Sequence, residues 1–167
     1  DKIVSVGMIE HVGEAQLPGY FRHISNLLKP GGAFLNHGIG LRYGERRAFG
    51  PFVNKYIFPD AELVPISTTI GLAEAYGFEV RDVECLREHY VLTLRRWRQR
   101  LESSIPTMNN LMNESTWRLW RLYLASAAHG FATGRLTLYQ TLLSKTQEGS
   151  TDMPLTRDDW YGTPSVH

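Results

Sequence analysis

The opening residues constrain the fold more than any other stretch. Ile3-Val4-Ser5-Val6-Gly7-Met8 is rich in β-branched residues and is bounded by Glu10-His11-Val12-Gly13. A short apolar run of this kind reads as a strand buried on both faces, as in a parallel sheet covered by helices. It has no turn or cap before it, so the chain reads as part of a longer protein whose first half lies elsewhere. The pattern that follows agrees with a layered fold. Residues 17–28 have helical spacing, with Tyr20, Phe21, Ile24, Leu27 and Leu28 on one stripe. Lys29-Pro30-Gly31-Gly32 stops that helix, because proline cannot continue it and glycine supplies the turn.

The remaining elements are predicted from the same periodicities. A second strand is expected over 33–37, and a short helix over 49–57 ending at Pro59. Residues 67–76 read as a helix capped by Ser67 or Thr68 and closed by Gly77. A strand over 78–83 and a helix over 86–101, interrupted at Pro106, come next. A long amphipathic helix over 114–131 carries Trp117, Trp120, Leu124 and Ala128 on one side, and the last strand covers 136–143. Glycine, proline, serine and charge dominate the end, so the expected division is a domain over 1–147 and a flexible tail over 148–167. Strands alternating with helices imply an α/β fold with a largely parallel sheet and a two-helix insertion before the last strand. In such sheets ligands bind at the carboxyl ends of the strands. Here those ends carry Glu10 and His11 after the first strand, and His37, Gly38 and Ile39 after the second.

Composition narrows the class further. The 167 residues suit one domain, and 18 basic against 17 acidic side chains leave a net charge of +1, so no global nucleic-acid footprint exists. The single cysteine, Cys85, excludes an internal disulfide and reads as a small buried apolar residue in a reducing compartment. No apolar run approaches the roughly twenty residues of a membrane span, and the first residues lack the layout of a signal peptide. No metal site is expected: His11 follows Glu10 without third and fourth ligands at metal spacing.

The run from Val4 to Gly13 resembles the strand-four segment of the cyclopropane-fatty-acyl-phospholipid synthases, the family that includes the mycolic acid cyclopropane synthases. The resemblance continues through Leu28-Lys29-Pro30-Gly31-Gly32, His37-Gly38-Ile39, Tyr56-Ile57-Phe58-Pro59 and His89-Tyr90-Val91-Leu92-Thr93-Leu94 with Trp97. It ends around Tyr123-Leu124, Phe131 and Gln140, so it covers nearly everything but the tail. The Leu-Lys-Pro-Gly-Gly segment alone is common to many methyltransferases; the combination with Glu10, His37-x-Ile39 and His89-Tyr90 is specific. The resemblance implies the C-terminal half of a class I, Rossmann-like methyltransferase sheet that uses S-adenosylmethionine. The glycine-rich loop and the acidic residue that hold most of that cofactor are not in this sequence.

Site residues follow from the resemblance. Glu10, His37, Ile39 and Tyr90 match its active-site and bicarbonate-binding positions, and Glu10 with His11 would face the cofactor. The chemistry is suitable. A carboxylate beside a sulfonium can orient a base, a histidine and the residue-39 N–H can donate to an anion, and a phenol can do so while its ring faces a cation. Taken singly, each has a plainer reading: Glu10 as a solvated helix cap, His37 as a structural histidine, Tyr90 as a core residue. The implied reaction starts when the π electrons of a cis double bond take the sulfonium methyl. Bicarbonate then removes a proton from the delivered carbon, and the ring closes in a dry pocket. Tyr43, Phe52, Tyr56, Phe58, Trp120, Tyr123 and Phe131 are rings that could wall it.

Some positions depart from the family pattern. Ala127 stands where a cysteine is usual, Ile9 replaces a commoner phenylalanine, and Asn36 and Gly38 flank His37. A relative that leaves a methyl branch without ring closure stays open, as do an amine N-methyltransferase of related fold and a non-catalytic truncated product. The expected partners are an unsaturated phospholipid or fatty acyl chain, with no nucleic acid, and either the N-terminal half of the enzyme or a swapped dimer. The expected location is cytoplasmic. Arg95, Arg96, Arg98 and Arg100 beside Trp97 could rest peripherally on anionic phospholipid. The alternative for that helix is a solvated face paired with Glu88 and Glu102.

Overall fold

The computed structural model describes residues 1–45, 50–108, 113–151 and 153–162. Its sheet has four strands, β1 (Lys2–Val6), β2 (Ala33–Leu41), β3 (Glu79–Cys85) and β4 (Leu136–Ser144), in the order β1-β2-β4-β3. β1 and β2 are parallel, from Lys2 opposite Ala33 to Val6 opposite His37. β4 lies between β2 and β3 and runs antiparallel to both. The expectation of a largely parallel sheet is therefore corrected, and the connection explains why. Helices α4 (Arg87–Met108) and α5 (Glu114–Ala132) form an antiparallel hairpin that leaves the sheet after β3 and returns to the same end. The Leu86 N–H donates to Leu138 O at 2.9 Å and Arg87 reaches Phe131 O at 2.7 Å, closing the base of the hairpin. From there β4 can only run back down the sheet.

Two cores lie on opposite faces of β2, because side chains alternate along a strand. On one face α1 (Leu17–Leu27) and α3 (Ile66–Ala75) cover Phe34, with Phe21, Leu143 and Ala73 fully buried among Leu17, Leu28 and Phe78. On the other face the hairpin packs Leu94, Leu124, Ala127 and Phe131 over Leu41, Leu136 and Leu138. The buried stripe of α5 is thus Tyr123, Leu124, Ala127 and Phe131, rotated from the expected one, with Trp120 left 39% exposed. On α1 the stripe includes Leu28 but not Leu27, which faces solvent.

Local signals account for most helix ends. Pro65, extended at ψ 152°, precedes α3 and puts Ser67 and Thr68 inside its first turn, so neither serves as the expected side-chain cap. Gly77 closes α3 at φ +85°, a conformation glycine adopts freely. The Asn113 side chain accepts from the Thr116 N–H at 2.9 Å and caps α5. α4 continues through Pro106 to Met108 rather than breaking near Leu101. The proline falls in the last turn, where Ser103, Ser104 and Thr107 hydroxyls donate to nearby carbonyls.

The short helix α2 spans Pro51–Tyr56; position 49, its expected start, lies outside the described residues. β1 is an edge strand covered on one face only: Ile3 and Ser5 turn to the α1 side, while Val4 and Val6 on the other face are 63% and 66% exposed instead of buried. Cys85 is exposed, not buried as expected, since it ends β3 at the rim of the sheet. Near the C-terminus one helical turn, α6 (Asp158–Tyr161), follows Arg157, which pairs with Asp82 of β3 and stacks over Trp160.

Candidate active site

The site begins where β1 ends. Gly7 turns the chain at φ +65°, and its N–H donates to His37 O at 2.9 Å. A 3-10 turn over Ile9–His11 follows and swings Glu10 over the sheet. The Glu10 residue is 7% exposed, and its Oε1 accepts the Ile39 N–H at 2.8 Å. Two further hydrogen bonds pin the turn. The Glu62 N–H donates to Glu10 O at 2.9 Å, and Glu62 Oε2 accepts from the Glu14 N–H at 2.8 Å.

A cavity of about 450 Å³ opens between this turn, the upper part of β2 and the α4–α5 hairpin. Glu10, His11, His37, Ile39 and Tyr90, the residues expected at the site, all line it. Phe58, Trp97, Trp120 and Tyr123 supply most of the wall. The rings meet edge to face: His11 with Phe58 at 5.7 Å, Phe58 with Tyr123 at 5.5 Å, Trp120 with Tyr123 at 5.7 Å and Tyr90 with Trp97 at 5.9 Å. Phe131 backs Tyr90 at 4.9 Å.

The electrostatics follow from burial around one carboxylate. Burial, and then the nearby Glu10 charge, push the Tyr90 phenol above its ordinary value. Burial, Tyr90 and Glu10 push Tyr123 up to about 12. Both phenols therefore stay protonated at neutral pH and can donate hydrogen bonds. His37 Nδ1 and Glu10 Oε2 are buried and find no hydrogen-bond partner among the described residues. Buried polar atoms without partners are uncommon and point to a ligand or water.

Several details differ from the sequence reading. β2 runs on to Leu41, so His37 and Ile39 lie inside the strand and not beyond its end. Asn36 and Gly38 face the α3 side, away from His37, so they do not shape the large cavity. The Ile39 N–H is taken by Glu10 and is not free for an anion. Tyr43 and Tyr56 are exposed, at 83% and 55%, and stand outside the cavity wall. Ala127 belongs to the core behind the site. The signal for Trp97 as a wall residue was its helical spacing from Tyr90, seven residues earlier on α4.

This β1-β2-β4-β3 sheet with helices on both faces has the Rossmann-like fold of solved S-adenosylmethionine-dependent methyltransferases. Residues 1–141 match the family model described as mycolic acid cyclopropane synthetase, and the chain belongs to that family. It is 42% identical over 167 residues to a probable fatty acid methyltransferase of Pseudomonas putida, covering 96% of this chain and 42% of that protein. It is 33% identical over 145 residues to the cyclopropane-fatty-acyl-phospholipid synthase of Escherichia coli, covering 87% of this chain and 37% of the relative. A mycolic acid cyclopropane synthase solved with SAH and CTAB superposes with a TM-score of 0.79 at 28% identity, over 87% of this chain and 55% of that one. The chain thus spans less than half the length of these two curated relatives.

Proposed function

We propose that this chain carries the acyl-binding half of an S-adenosylmethionine-dependent methyltransferase acting on the cis double bond of an unsaturated fatty acyl chain, with a cyclopropane as product. The observation that carries this reading is the cavity, with its aromatic wall, one carboxylate and one histidine. Such a wall excludes water, which would quench a carbocation to an alcohol. Its ring faces can stabilise that cation by roughly 0.5–2 kcal/mol each. Glu10 contributes negative charge beside the place where positive charge develops.

Glu10 and His11 are the residues of this chain that would face S-adenosylmethionine, which when bound supplies an electrophilic sulfonium methyl. Its main binding loop is not in this sequence, so on this reading the chain alone does not transfer methyl groups. The preceding half of the enzyme would complete the cofactor site. We place that half along β1, where a groove of about 620 Å³ exposes Val4, Val6, Met8 and Leu27. A swapped second copy is the other occupant of that edge.

Bicarbonate is the proposed base for the proton that ring closure releases. The support in this chain is His37, with its unpartnered buried Nδ1, and the protonated phenol of Tyr90. An amine N-methyltransferase would leave both without a task. The 42% identity to a relative named as a fatty acid methyltransferase favours a second reading, a methyl branch in place of the ring.

The proposed setting is the cytoplasmic face of a membrane, engaged peripherally. No described helix is long and apolar enough to cross a membrane. The hairpin over 87–132 holds seven arginines against three glutamates, in a protein of net charge +1. Arg118 and Arg121 pair with Glu114 and Glu102, whereas Arg95, Arg96, Arg98 and Arg100 are exposed and form no ion pair among the described residues. They flank Trp97 and Trp120, both part-exposed at the cavity.

The test is methyl-labelled S-adenosylmethionine given to the whole enzyme with vesicles of unsaturated phospholipid, with and without anionic lipid. We expect label in a ring-bearing acyl chain and stronger vesicle binding with anionic lipid. Label in a methyl branch would select the second reading. No acyl label would overturn both, and equal vesicle binding would remove the membrane surface.

A further inference from the structure

Glu10 stands between two cavities. The large one lies on the hairpin side. A second, of about 20 Å³, lies on the α3 side of β2 and is lined by Asn36, Gly38, Gly40, Thr69, Thr141 and Glu62 among others. Two glycines in one strand make this space. A Cβ on Gly38 would stand 2.4 Å from Ile9 Cγ2 and 3.7 Å from Glu10 Oε2. The unpartnered Oε2 thus reaches toward the face of β2 from which a side chain is missing, while Oε1 is committed to the Ile39 N–H.

We propose that the small cavity is a binding site for one ordered water that donates a hydrogen bond to Glu10 Oε2. A volume of this size holds a single water, which needs roughly 10–15 Å³ and two to four polar partners. Hydroxyls and an amide on the wall supply partners: Thr69 from α3, Thr141 from β4 and Asn36 from β2. The physical drive is the cost of leaving a buried carboxylate oxygen without a donor. Glu10 is then gripped from two directions, by a backbone N–H on one oxygen and a water on the other. It is held as a fixed negative charge beside the proposed reaction. Its part in methyl transfer rests on the function proposed above; the water site rests on geometry alone.

A crystal structure of the whole enzyme at a resolution that shows ordered water tests this first. The expected result is a water peak in the small cavity within hydrogen-bond distance of Glu10 Oε2. An absent peak, or one with the coordination of a metal cation, overturns the proposal whether or not the enzyme methylates lipids. The T69V/T141V double substitution, close to isosteric, then removes both hydroxyl partners of the water and leaves the cavity's volume nearly unchanged. It should displace the water and lower kcat about tenfold with KM little changed, the usual worth of a hydrogen bond to a charged group. A folded variant without the water but with full kcat would overturn the positioning role.

Discussion

The two faces of β2 differ in what they leave unfilled. On the α1–α3 side Phe21, Phe34 and Leu143 are sealed completely, and the packing leaves one water-sized space beside Glu10. On the hairpin side the same strand borders a cavity of about 450 Å³ walled by rings. One face is packed as an interior is packed. The other keeps aromatic surface apart from its neighbours and sets charge at the end of it. The strand that carries His37 and Ile39 toward the cavity is held in place by Phe34 on its other side. The comparison teaches that the packed core and the wall of the large cavity are assigned to alternate residues of one strand.

The largest effect should come from emptying the packed face. Phe34→Ala should destabilise the folded protein by about 3–5 kcal/mol, the range for deleting a buried ring, measured by thermal or urea unfolding. A loss below 1 kcal/mol would break the contrast between the faces. Next in size is the charge at the cavity. Glu10→Gln keeps an acceptor for the Ile39 N–H but removes the negative charge, and in the whole enzyme, on the function proposed above, should lower methyl transfer by about 10²–10³-fold with the melting temperature little altered. A variant that melts as early as Phe34→Ala would instead make Glu10 a structural residue.

The smallest effect concerns Tyr123. Its phenol ionises near 10 when unfolded and at about 12 in the fold, because burial, Tyr90 and Glu10 oppose the phenolate. The sign follows directly. Above the unfolded value the unfolded chain gives up its proton first, so stability present below pH 10 is lost as pH rises toward 12. Urea unfolding across this window should show that decline, and Tyr123→Phe should flatten part of it. An unchanged slope would mean that the cavity is wetter than its ring contacts imply.

Much of this was legible in the residues. The Ile3–Met8 run, the Lys29–Gly32 stop and the alternation of strand and helix indicate an α/β sheet because each depends on local backbone preferences. Glu10, His37, Ile39 and Tyr90 could be singled out through the resemblance of the motifs that carry them to the cyclopropane synthase family, and they do line one cavity. The direction of β4 was not legible, since antiparallel insertion depends on where a hairpin of two helices returns the chain. The exposure of Val4 and Val6 was not legible either, for a related reason: an apolar pattern does not say whether another layer covers each face of the strand.

What the sequence determined by itself is therefore the set of elements and the chemical types gathered near their ends. Tertiary structure decided which face each residue serves. Asn36 and His37 are adjacent in the chain yet belong to different cavities, because successive side chains of a strand point opposite ways. It also decided that the Ile39 N–H meets Glu10, a contact across 29 positions that no local pattern encodes.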